Sequence, residues 1–231
     1  MEEMSSITIG SFVLTEPTTV ITNIFLAALC WLFSSRLGKV QDKSSSTRYW
    51  QLYFILMGTS AATGIFKHGL VHYQSEANNY ITWSVMNVET GFAIYFAQLA
   101  TVHSFISIKR SSTILQAIIT LQLGVYLAWF FIVKDYSIVK WHIALGLVPI
   151  MLVNGFYFFK GATGRGWLAV GIVVGAFAAA VHGLKFSFGK WFNYNDIAHL
   201  FIMASLYMMF YGINTTDVEE KKTAVSELVS E

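Results

Sequence analysis

The sequence predicts an all-α polytopic membrane protein of seven transmembrane helices, with its N-terminus outside and its C-terminus in the cytoplasm. Three observations predict it. Hydrophobic residues make up 55% of the 231-residue chain and charged residues 12%, too little polar surface for a soluble globule. Seven apolar stretches are each about as long as the roughly 20 residues a spanning helix needs. The basic residues crowd the loops of one side.

The stretches run over 17–35, 51–73, 80–106, 112–133, 137–158, 166–186 and 194–213, separated by short loops. They form one transmembrane domain, residues 1–214. A polar tail, 215–231, follows, and its Glu219, Glu220, Lys221, Lys222 and Glu227 predict a solvated, partly helical cytoplasmic extension. Glu2 and Glu3 stand where a cleaved leader would carry basic residues, so no signal peptide is read there. Cys30, in the first stretch, is the lone cysteine and has no intrachain partner for a disulfide. The net charge of +2 is too small to suggest a nucleic-acid partner.

Arg36, Lys39, Lys43 and Arg48 fill the first loop, Lys109 and Arg110 the third, and Lys160 and Arg165 the fifth. The opposite side holds only Lys134, Lys140, Lys185 and Lys190, which sets the orientation by the positive-inside rule. All seven tryptophans, Trp31, Trp50, Trp83, Trp129, Trp141, Trp167 and Trp191, fall near span ends, where aromatic belts put them.

His68-Gly69-Leu70 near the end of the second stretch recurs as His182-Gly183-Leu184 near the end of the sixth. This suggests two three-helix halves in parallel, joined by the fourth span, a 3+1+3 plan known in small membrane proteins. Ala/Gly-rich helices also resemble one another by chance. Gly171 and Gly175 form a G-x-x-x-G pair, which predicts close helix packing around the sixth span, a dimer contact being the lesser use.

Four histidines, His68, His142, His182 and His199, fall at one depth near the outer side on four different spans, with His72 one turn beyond His68. Asp196 and Asn195 precede His199, and Glu89 lies deeper on the third span. Ionisable groups in a membrane are costly and are functional candidates by default. Imidazoles suit zinc, whose catalytic sites use three protein ligands and leave a place for water. A carboxylate such as Glu89 or Asp196 could act as general base. The rival reading is structural: buried membrane histidines also bond across helices, for about 0.6–2 kcal/mol each.

Gly64-Ile65-Phe66-Lys67-His68, Glu89 and Asn195-Asp196-Ile197-Ala198-His199 resemble the motifs of the CREST superfamily of seven-helix membrane hydrolases, the alkaline ceramidases and the progestin and adipoQ receptors. That family has a serine four residues before a histidine in helix two, an aspartate in helix three and His-x-x-x-His in helix seven. Glycine replaces the serine, Glu89 stands for the aspartate at a longer spacing, and Asn195 replaces a histidine. The chain is similar also to small bacterial seven-helix membrane proteins for which no activity is implied. The resemblance implies a zinc cofactor and hydrolysis of a lipid amide or ester, with His182 or His72 supplying the missing ligand.

Three functions are therefore expected as rivals. The first is a zinc-dependent lipid hydrolase with His68, His182 and His199 on the metal and Glu89 or Asp196 as base. His72, His142 and Asn195 are further candidates, and a membrane lipid would enter from the outer leaflet. The second is a small 3+1+3 transporter, although neither Pro17 nor Pro149 precedes the glutamine of the small sugar transporters. The third is a non-catalytic, histidine-based membrane sensor of outside pH. A retinal protein is excluded, because 194–213 contains no lysine. The compact chain suits a bacterial inner membrane.

Overall fold

A computed structural model describes residues 5–41, 43–106 and 108–230, with side chains as far as Glu219. Glu2, Glu3 and the side chains of Glu220, Lys221, Lys222 and Glu227 lie outside the described residues. Seven helices follow one another: α1 (Pro17–Gly38), α2 (Ser45–Gly69), α3 (Glu76–Phe105), α4 (Lys109–Val133), α5 (Tyr136–Phe158), α6 (Thr163–Leu184) and α7 (Tyr194–Ser230). They coincide with the seven apolar stretches to within a few residues, except that α7 runs on through the polar tail.

Local chemistry sets the helix starts. Ser44, Ser75 and Asp135 each accept a backbone N–H of the first turn of α2, α3 and α5, satisfying donors that have no partner inside the helix. Pro17 occupies the first turn of α1, where its missing N–H costs nothing.

Five helices, α1, α4, α5, α6 and the first part of α7, are long and apolar enough to cross a membrane. Helices α2 and α3 are more polar, and they turn polar residues toward each other. The Ser60 hydroxyl donates to Met86 O at 2.9 Å and lies 2.9 Å from Thr90 Oγ1, and Thr63 donates to Glu89 at 3.0 Å. Lipid-type faces are plain elsewhere: Ile114, Ile118, Leu121, Val125 and Ile132 of α4 are all exposed.

Helices α1, α2, α3, α5, α6 and α7 each pack on the next, α7 closes back on α1, and α4 lies against α3 and α5. The core of this ring is aromatic. Phe33 of α1 stacks on Phe210 of α7 at 4.2 Å between ring centres and meets Phe54 of α2 edge-on at 5.5 Å. Small residues bring α6 and α7 together. A Cβ at Gly164 would lie 2.5 Å from the Thr216 nitrogen, and one at Gly212 would lie 2.7 Å from the Gly164 oxygen. Gly171 also packs on α7, where Ser205 O would be 2.9 Å away, so the G-x-x-x-G pair serves a contact within the chain.

Two expectations are corrected here. Trp50 is only 3% exposed and packs edge-on to Tyr53 in the aromatic core, because α2 begins six residues earlier than its apolar stretch and carries the indole inward. His72 does not continue the face of His68. Helix α2 stops at Gly69, and His72 lies on a short 3-10 turn, Val71–Tyr73, exposed.

An antiparallel hairpin precedes α1: β1 (Ser6–Ile9) pairs with β2 (Phe12–Thr15), Ser6 opposite Thr15 and Ile9 opposite Phe12. Gly10 makes the tight turn at φ +62°, a conformation that suits a residue without Cβ. The hairpin rests on the end of α2. Tyr73 stacks on Phe12 at 5.6 Å, and its hydroxyl accepts the Val13 N–H at 2.7 Å. Thr15 donates to His68 O.

Candidate functional site

The hairpin end of the bundle holds a cluster of polar side chains drawn from the segment before α1, the end of α2 and the start of α7. Glu16 stands at its centre. It occupies the position before Pro17 with φ +43° and ψ 55°, left-handed backbone that costs a residue with a Cβ about 1–3 kcal/mol. The strain is held by four attachments. Its N–H donates to Ser5 O at 2.8 Å, its carbonyl accepts from Val20 N at 3.0 Å, one carboxylate oxygen lies 2.6 Å from His68 Nδ1, and the other accepts Asn193 Nδ2 at 3.2 Å. Burial alone would push the Glu16 carboxyl up. The His68 hydrogen bond and charge, with help from Asn193 and Lys67, outweigh it and hold the group below its ordinary value.

Asn193 caps α7. Its side chain accepts the Asn195 N–H at 2.8 Å, while Asp196 reaches back to accept the Asn193 N–H at 2.7 Å, a reciprocal capping pair. The other Asp196 oxygen accepts the Thr19 hydroxyl at 2.8 Å, and the side chain is fully buried. Both oxygens of this candidate base are thus engaged, one in capping α7 and the other in joining α7 to α1. His199, one turn on, meets the Thr22 hydroxyl through Nδ1 at 2.8 Å. His182 sits between the rings of Tyr136 (5.0 Å) and Tyr194 (5.1 Å, edge-on).

His68, His182 and His199 are therefore brought to one region, near enough for their charges to act on one another, and His68 acts also on Asp196. Among the described residues, no three His, Cys, Asp or Glu side chains converge into a group that could hold a metal ion. The two replaced motif positions have structural occupations as well. A Cβ at Gly64 would lie 2.9 Å from Asn23 Oδ1, and Asn23 is tied to Thr19 O at 3.0 Å, so the space of the expected serine is filled. Asn195 gives its N–H to the α7 cap.

The remaining candidates lie apart from the cluster. Glu89 faces Thr63 and the rim of a groove between α3 and α4. His142 is a strut: buried, stacked on Tyr126 at 4.1 Å, with Nε2 3.2 Å from Gly91 O. His72 is exposed on its turn.

Glu16, Thr19, Thr22 and Asn193 are the site residues that sequence reasoning passed over. Thr19, Thr22 and Asn23 share one helical face by their spacing, which was the available signal. Glu16 carried none beyond standing before a proline.

No curated protein and no solved structure matches the chain. One family model does, over residues 18–217, nearly the whole helical bundle. On that match the chain belongs to the family of unknown function DUF6962.

Proposed function

We propose that this protein is a non-catalytic, histidine-based membrane sensor whose hairpin end is a proton-responsive latch. The contact of Glu16 with His68, shared through Asn193, carries the reading. It ties the strained entry of α1, the last turn of α2 and the cap of α7 by a single carboxylate. Histidine is the side-chain type whose charge changes near neutral pH. A proton on the imidazole turns its hydrogen bond to the Glu16 carboxylate into an ion pair, with a charge on both partners. Mild acid outside would therefore tighten the latch.

Other charged and titratable groups surround the pair. Lys67 stands beside His68 on α2, His182 on α6, Asp196 and His199 on α7, and Lys140 and Lys185 act on His182. These groups set the electrostatic surroundings of the Glu16–His68 contact, at which the response is read.

In the proposed topology all seven helices cross the membrane, with the hairpin end outside and the C-terminus in the cytoplasm of a bacterial inner membrane. The loop lysines and arginines support that orientation, and α2 and α3 can cross because they direct polar groups at each other. The ring of α1–α3 with α5–α7, and α4 outside it, is what two three-helix halves joined by a linker helix would give. His68 and His182 would then be corresponding residues.

Hydrogen–deuterium exchange in lipid nanodiscs tests the latch. Protection of the 5–16 backbone should rise between pH 8 and about 5.5 in the wild type and stay flat in His68→Gln. The same flat response in both proteins would sink the sensor. Elemental analysis addresses the rival hydrolase. About one zinc per chain after chelator-free purification, lost in a His68→Ala/His199→Ala double variant, would replace the sensor with a metal-dependent hydrolase of a lipid amide or ester.

A further inference from the structure

We propose that Glu89 is a proton-binding site inside the membrane, loaded from the hairpin end and served by Thr59 and Thr63 of α2. The three side chains are half-buried and meet between α2 and α3. A threonine hydroxyl has one proton to donate and lone pairs with which to accept. Thr63 Oγ1 lies 3.0 Å from Glu89 Oε2 and also 3.0 Å from Thr59 O. Thr59 Oγ1 lies 3.0 Å from Leu56 O and hydrogen-bonds the Glu89 carboxyl as well. Each threonine therefore has two acceptors within reach and a proton for one of them.

This surplus of acceptors accommodates both protonation states of the carboxyl. With Glu89 ionised, both threonines turn their protons to the carboxylate, and the two helix carbonyls keep their backbone N–H partners. With Glu89 protonated, its O–H donates to a threonine oxygen. The threonines then give their protons back to Leu56 O and Thr59 O, a bond that threonine commonly makes inside a helix. Hydroxyl rotation alone makes the exchange, and no heavy atom has to move.

No cation fixes the charge in place. Glu89 forms no ion pair among the described residues. The titratable groups of the outer halves of α2, α4 and α5 have other partners. Lys67 donates to Asn79, His68 pairs with Glu16, and Lys134 lies over the Tyr80 ring. Tyr126 donates to Asn87 O, His142 meets Gly91 O, and Lys140 lies over Tyr136. A carboxylate left without a cation at membrane depth is costly, and such groups serve as proton carriers.

The route to Glu89 opens at one end. Thr59, Thr63 and Lys67 follow at one-turn intervals on α2, so a polar strip leads from Glu89 to the hairpin end. Toward the other end the same faces carry Leu52, Leu56, Ala93 and Ala97, and both alanines are fully buried. The strip therefore ends at Glu89 and Thr59. The site rests on α2 and α3 crossing the membrane and not on the latch, since Glu89 takes no part in the contact of Glu16 with His68.

Infrared difference spectra of the full chain in phosphatidylcholine nanodiscs, between about pH 5 and about pH 9, read the proton directly. One carbonyl band of a protonated carboxyl should appear in acid, vanish in alkali and be missing from Glu89→Gln. Glu89→Asp, which keeps the carboxyl and moves its band, carries the assignment if the Gln variant does not fold. Thr59→Val/Thr63→Val removes both donors to the charged form at nearly constant shape. It should raise the midpoint of the band's pH profile by about one unit or more, a tenfold gain in proton affinity. An unmoved midpoint would leave the threonines a packing role and overturn their part. Lys67→Leu, which closes the strip above Thr63, should slow the response of the band to a pH jump about tenfold, and Leu56→Phe, below Thr59, should not. Equal rates in the two variants would overturn loading from the hairpin end. A Glu89 band absent at every pH, or unchanged throughout, would mean a fixed charge or a fixed proton and would overturn the site. Loss of the band when sodium chloride replaces choline chloride at constant pH would assign the cluster to sodium instead of the proton.

Discussion

Glu16 Oε2 lies 2.6 Å from His68 Nδ1, and the glutamate that makes this contact is held in left-handed backbone at φ +43°. Side-chain exposure of 13% for Glu16 and 19% for His68 places the pair between surface and core. Glu16→Gln keeps the shape and removes the charge, so it should cost about 1.5–3 kcal/mol, the range for a hydrogen bond to a charged group. His68→Gln should cost a similar amount, and the double variant should cost less than the sum, because the two residues share one interaction. Unfolding of all four proteins in one detergent measures the coupling. Strict additivity would mean that the contact contributes nothing of its own.

The direction of the Glu16 shift fixes a pH window. A glutamate in an unfolded chain titrates near 4.3, and in the folded protein Glu16 titrates lower. Between the two values the unfolded chain binds the extra proton, so stability rises with pH there. The contribution is complete above the unfolded value and is lost as pH falls through the folded one. Asp135 also titrates low, held by the hydroxyl and N–H of Ser137, so the wild-type curve mixes the two groups. The difference between wild type and Glu16→Gln isolates the first. Below about pH 5, that difference in melting temperature should shrink steadily as pH falls through about 4.3. A difference that goes on growing below that pH would contradict the assignment.

Gly64 and Asn23 make a lock between α2 and α1. Gly64→Ser would restore the residue of the resembling hydrolases and drive its Cβ to 2.9 Å from Asn23 Oδ1. Asn23 can yield only by giving up its bond to Thr19 O. Overpacking of this kind costs about 1–3 kcal/mol. Gly64→Ser should therefore destabilise the protein, and adding Asn23→Ala should recover part of the loss. Thermal unfolding of the single and double variants is the measurement. A serine tolerated without cost would reopen the place for the family's motif.

The helices were legible because they leave a simple pattern in the sequence: long apolar runs with tryptophan near the ends. Trp50 broke the pattern because α2 starts earlier than its apolar run, at the Ser44 cap. The hairpin was legible in principle, since Ile7-Thr8-Ile9 and Val13-Leu14-Thr15 flank Gly10-Ser11 with β-branched residues and a turn. Depth reasoning put His68, His142, His182 and His199 in one layer, whereas His142 stands apart as a strut against Gly91 and Tyr126 and only the other three lie near one another. It could not separate Asp196 the helix cap from Asp196 the base, because spacing does not tell which hydrogen bonds a carboxylate has already made. Glu16 stayed hidden for another reason: its position depends on a strained backbone set by tertiary contacts.

Gly164 and Gly212 predict where the bundle tolerates no added atom. A Cβ at Gly212 would come within 2.7 Å of both the Gly164 oxygen and the Leu168 nitrogen, which are backbone atoms and cannot rotate away. Gly212→Ala should then push α6 from α7 and cost at least about 1–3 kcal/mol, the usual range for overpacking. Gly124, in the interior of α4, has nothing within 4 Å of the same atom. Gly124→Ala should leave packing untouched and stabilise the helix by about 0.5–1 kcal/mol, since alanine has less backbone entropy to lose. Measured side by side in one detergent, the two alanines should shift unfolding in opposite directions. If both stabilise, glycine at 212 serves only helix flexibility, and the close approach of α6 and α7 is not what holds that side of the ring together.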